Sequence, residues 1–67
     1  MSYHVRLLAP GDQPVTCYAH PGPLDAASAY ARQLLANSSR PAVEVCEVLF
    51  RSDGSHTGPR VARIERP

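Results

Sequence analysis

The sequence predicts a small α+β domain of order ββαββ, with one mainly antiparallel four-stranded sheet and a single helix on one face. Three observations lead there. A central stretch carries apolar residues at helical spacing between marked ends. Two-residue alternation runs on either side of it. Pro, Gly, Asp and Ser punctuate the chain between these stretches. No linker, internal repeat or low-complexity tract divides the chain, so residues 1–67 are expected to form a single domain.

The helix lies in "PGPLDAASAYARQLLANSSRP". Gly22 is the expected N-cap, Pro23 suits the first helical position, and Asp25 places a carboxylate in the first turn. Asn37, Ser38, Ser39 and Pro41 end it. At about 100° per residue, Leu24, Ala27, Ser28, Ala31, Leu34 and Leu35 share roughly one third of the circumference, with Tyr30 at the border. Small residues along this stripe let the helix lie close on a sheet.

Before the helix, "SYHVRLL" alternates Tyr3, Val5 and Leu7 against His4 and Arg6. "APGDQP" supplies turn residues. "VTCYAH" returns between Pro14 and Pro21, which mark a short edge strand. After the helix, "VEVCEVLF" leads into "RSDGSHTGP", read as a loop, and then into "RVARIER", with Ala62 and Ile64 opposed to Val61, Arg63 and Glu65.

"VEVCEVLF" does not alternate cleanly. Val43 and Val45 keep one phase; Cys46, Val48 and Phe50 keep the other. A straight strand turns Cys46, Val48 and Phe50 to the helix and leaves Val43, Val45 and Leu49 on the back, where Val61 joins them. The alternative is a β-bulge near Cys46 and Glu47 that sends Val43, Val45, Val48 and Phe50 inward together. The straight strand is preferred on size. A chain of 67 residues buries only about 60% of the surface its unfolded form exposes. Its core supplies no more than roughly 3–5 kcal/mol, so a partner is expected. An apolar back face of Val43, Val45, Leu49 and Val61 is therefore the candidate interface.

Composition excludes several classes of function. Net charge is +1, so no strong field draws nucleic acid or an acidic surface. Two cysteines are too few for a disulfide scaffold, and "MSYHVRLLAP" is neither a signal peptide nor a membrane span. A cytoplasmic location with reduced, structural thiols is expected, and no membrane association. All seven basic residues are Arg, which with abundant Ala, Pro and Gly suits a GC-rich bacterial or phage genome.

The groups that could carry chemistry are weak signals. Cys17-x-x-His20 with His4, His56 and Cys46 lacks the paired close spacing of a zinc site, and both cysteines fall within strands. No third group orients a Cys–His pair. Asp53, Ser55 and His56 are neighbours along a turn-rich segment, which is not triad geometry. No glycine-rich cradle opens the helix. The expectation is no cofactor, no metal and no catalytic residue.

Arginines supply the one suggestive group. Arg51, Arg60, Arg63 and Arg66 crowd the last hairpin, and a basic β-ribbon can grip phosphates. Glu44, Glu47 and Glu65 share that hairpin, with Glu47 expected opposite Arg63 and Glu44 opposite Arg66. The sequence thus points to a small non-enzymatic binding or interaction module, a homodimer through the sheet face or edge not covered by the helix. An unidentified protein partner is a further possibility. The alternative is a nucleic-acid-binding accessory protein using the arginine-bearing hairpin.

Overall fold

The computed structural model describes residues 2–66. Its elements are β1 (Ser2–Ala9), β2 (Gln13–Pro21), α1 (Leu24–Ala36), β3 (Ala42–Arg51) and β4 (Gly54–Glu65). They form one antiparallel sheet in the order β2-β1-β3-β4 with the helix against it, which is the predicted ββαββ architecture.

The helix starts one residue later than expected. Pro23, in extended backbone, is the N-cap, and it offers no side-chain cap. At the other end Asn37 donates to the Gln33 carbonyl through its backbone N–H (3.1 Å) and its Nδ2 (3.0 Å). Arg66 adds a cap from the far end of the chain: its Nη2 donates to the Leu35 carbonyl (2.5 Å) and its Nε to that of Arg40 (2.7 Å). A cation at a helix C-terminus also meets the favourable end of the macrodipole. Ala27, Ala31 and Leu35 are buried, with Tyr30 and Leu34 packed beside them. Leu24, expected on the stripe, is exposed.

Under the helix lie Tyr3, Val5 and Leu7 of β1 and Val43 and Val45 of β3, joined by Ala62 and Ile64 of β4. The register sets Val5 opposite Val45 and Leu7 opposite Val43. This corrects the expected phase of β3. Val43 and Val45, proposed for an exposed back face, are fully buried against the helix. By alternation Cys46, Val48 and Phe50 then point the other way.

No bulge in β3 causes this. β3 pairs with β1 without a shift from Tyr3–Glu47 to Leu8–Ala42. The irregularities lie in β4: Val45 and Cys46 oppose Ala62 and Arg60, so Val61 is an extra residue, and a second extra residue falls between Arg60 and Thr57. Val61 therefore does not join a back-face row. It protrudes from an edge strand, 39% exposed.

A second correction concerns "RSDGSHTGP". Only Ser52 and Asp53 form the turn; β4 begins at Gly54, and Ser55, His56 and Thr57 pair with Phe50, Leu49 and Val48. Gly54 has φ 126°, a backbone state that L side chains rarely adopt, so the tight turn depends on it.

Candidate binding surface: the open sheet face and the hairpin arm

The face without a helix is not apolar. Its rows follow from the register: Cys17, Arg6, Glu44 and Arg63 cross the four strands in one row, and Ala19, His4, Cys46 and Arg60 in the next. Glu44 is the centre. It is 7% exposed, accepts from Arg6 Nε at 2.7 Å and again from Arg6 Nη2, and lies 3.9 Å from Arg60 Nε. Cys46 Sγ donates to the same carboxylate at 3.5 Å. Beyond it, Arg63 bonds Asp12 at 2.6 Å and pairs with Glu65, tying the first hairpin turn to β4. His4 Nδ1 and Thr57 Oγ1 share a hydrogen bond of 2.8 Å.

This polar layer explains why Ala42–Cys46 are buried without interruption. Val43 and Val45 lie under the helix, whereas Glu44 and Cys46 are screened by arginine side chains whose stems lie along the sheet while their heads find carboxylates. Burial would lower the Arg6 pKa, but the hydrogen bond and charge of Glu44 outweigh it and leave it raised. The Cys46 thiol is pushed up to about 11, chiefly by desolvation and then by the charge of Glu44 beside it. Such a thiol holds little thiolate near neutral pH and is a poor nucleophile.

The other candidate groups separate. Cys17 and His20 are three apart on a strand and so occupy opposite faces. Cys17, expected as a structural thiol within a strand, is exposed and lies opposite Arg6. His20 stacks on Tyr30 at 4.8 Å, and Tyr18 meets the same ring edge-on at 6.3 Å. Among the described residues no three of His, Cys, Asp and Glu are grouped as metal ligands. His56 and Asp53 are 2.9 Å apart on the exposed hairpin end.

The four hairpin arginines do not form one basic surface either. Arg66 holds the helix end, Arg63 holds Asp12 and Glu65, and Arg60 leans toward Glu44. Arg51 is exposed at the far end of β3, four residues past Glu47. The expected cross-strand pairs are also shifted: Arg63 stands opposite Glu44, and Arg66 follows the last pair, Ala42 with Glu65, its backbone N–H donating to the Pro41 carbonyl at 3.0 Å. Of the proposed interface residues, Val43 and Val45 are in the core, Val61 is an isolated bulge, and Leu49 is half-buried against Gly58.

The sequence reading missed the arm. β1 pairs with β3 only as far as Glu47. From Val48 to Arg51, β3 continues with β4 as a two-stranded hairpin. Phe50, expected beneath the helix, is 76% exposed there. At the root of the arm, Ser2, Tyr3, Glu47, Val48 and Phe50 line a cleft of about 190 Å³. The missing signal was Asp53-Gly54 between Phe50 and Thr57, a hairpin dipeptide set among residues otherwise typical of loops.

The outer edges of the sheet are blunted. β2 carries Pro14, Pro21 and a register shift at Val15; β4 carries Pro59 and its bulges. No helix of the described chain is long and apolar enough to cross a membrane. No protein-family model, curated protein or solved structure matches the chain.

Proposed function

We propose that this chain is a small non-enzymatic binding module that works as a homodimer, joined through the part of β3 that the helix leaves uncovered. One observation carries the reading: Phe50, the only phenylalanine, is 76% exposed on an arm that outruns the sheet. A large ring in water on a domain this small is the kind of anchor that interfaces bury. The polar layer favours binding over catalysis, because its charged groups are spent on one another. It also weakens the nucleic-acid alternative, since three of the four hairpin arginines already hold protein acceptors or lean on Glu44.

Sedimentation equilibrium of the purified chain tests this. The expected mass is that of a dimer, and Phe50→Ser is expected to yield a monomer with an unchanged circular dichroism spectrum. A wild-type chain that stays monomeric at its highest soluble concentration would overturn the proposal.

A further inference from the structure

We infer that the two copies pair β3 against β3, antiparallel about a two-fold axis at Phe50, so that the sheet continues from one molecule into the next. The inference rests on the homodimer reading and specifies its register. Leu49–Arg51 have β4 on one side and, among the described residues, no strand on the other. Antiparallel alternation leaves the N–H and C=O of every second residue there open to a further strand. The two outer edges of the sheet carry prolines and bulges; β3 carries neither a proline nor an extra residue.

The segment is complementary to itself. A two-fold axis at Phe50 sets the two Phe50 rings opposite one another, an arrangement that stabilises cross-strand pairs. Val48 shares that face, so each ring stands diagonal to Val48 of the other copy, one of the residues that line the cleft. On the opposite face Arg51 of each copy stands against Leu49 of the other and diagonal to its Glu47. Diagonal neighbours in a sheet are within reach of a long side chain. Both residues are exposed, and none of the ion pairs among the described residues uses either.

Moving the axis to Leu49 would set Glu47 and Arg51 directly opposite. It would also bring the second strand into the place that Tyr3 occupies beside Glu47. With the axis at Phe50, β3 of the second copy ends at Arg51 opposite Leu49, two residues beyond the last pairing of β1, Tyr3 with Glu47.

The test uses charge reversal. In Glu47→Arg each contact becomes Arg against Arg, and in Arg51→Glu it becomes Glu against Glu. Each variant alone is expected to dimerise roughly tenfold more weakly, about 1.4 kcal/mol. Mixed in equal amounts, the two are expected to form a heterodimer near wild-type strength, because each contact is again one Arg and one Glu. Sedimentation of the two variants and their mixture reads this directly, and circular dichroism confirms that each is folded. A dimer insensitive to both reversals and to Phe50→Ser would overturn this pairing while leaving a homodimer by another surface. Weakening without recovery in the mixture would overturn the register. A monomeric wild type would overturn both proposals.

Discussion

The body and the arm are built from the same strand, yet β3 has opposite environments in them. From Ala42 to Cys46 it has a strand on each edge, the helix above and the arginine layer below, and five consecutive residues are buried. Past Glu47 it loses β1, and Phe50 is the most exposed large hydrophobic residue among the described residues. Val43 and Phe50 are both apolar strand residues; one is fully buried and the other stands in water. Neighbours decide burial in a sheet, and a residue's own hydrophobicity only sets what that burial is worth.

The largest expected effect lies in the body. Leu35→Ala removes a buried side chain from the helix–sheet contact and is expected to cost about 2–5 kcal/mol, close to the whole stability of so small a domain. Arg32→Ala, on the exposed side of the same helix, is expected to change stability by less than about 0.5 kcal/mol. Urea denaturation distinguishes them, and equal effects would break the helical phase assigned here.

The polar layer is tested by alkaline titration. The Cys46 pKa is raised in the fold from an ordinary 9.0 to about 11. A raised acid stabilises the fold fully below the unfolded value, and that contribution is lost as pH rises from about 9 through about 11. At about 1.4 kcal/mol per unit, the loss is on the order of 3 kcal/mol. Urea midpoints recorded across this range should fall more steeply for the native chain than for Cys46→Ala. Parallel curves would mean that the thiol is not desolvated.

A smaller effect is expected where the arm joins the body. A Cβ at position 58 would stand 2.9 Å from Leu49 Cγ and 3.1 Å from the Glu47 carbonyl oxygen. Gly58→Ala must push β3 or turn Leu49, at a cost of about 1–2 kcal/mol. Faster hydrogen exchange confined to residues 48–57 would place the damage in the arm, whereas loss of protection throughout the sheet would show that arm and body unfold as one unit.

The smallest effect on the fold itself is expected at Phe50. Because its ring is exposed, Phe50→Ser should change monomer stability by no more than about 0.5 kcal/mol, while abolishing the dimer. Thermal unfolding at low protein concentration, where association no longer contributes, measures the first of these. An unfolded variant would return Phe50 to the core and remove the distinction between the two regions.

Much of the body was legible locally. Tyr3, Val5 and Leu7 alternate because one face of β1 meets the helix, and Ala27, Ala31 and Leu35 recur because one stripe of the helix meets the sheet. Both patterns are written within single elements. The candidate surface was far less legible. Asp12 with Arg63 and Leu35 with Arg66 are contacts between residues distant along the chain, and nothing near either partner announces the other. The arm was hidden by composition, because Ser52, Asp53, Gly54 and Ser55 occur as readily in an open loop as in a tight turn with a strand.

Propensity, periodicity and turn chemistry act over a few residues, and they set the order of elements, the place of the helix and the apolar set from which the core is drawn. Which phase of β3 faces inward depended on contacts between strands. Both phases of "VEVCEVLF" are apolar enough to be buried, so local pattern leaves the choice degenerate. The register with β1, setting Val45 opposite Val5 and Val43 opposite Leu7, broke that degeneracy in favour of the valines. The register of β4 set Ala62 and Ile64 beside them, and the end of β1 pairing at Glu47 left Phe50 to the arm. A strand's inward face is a property of its neighbours, and a one-residue change of phase exchanges every side chain between core and surface.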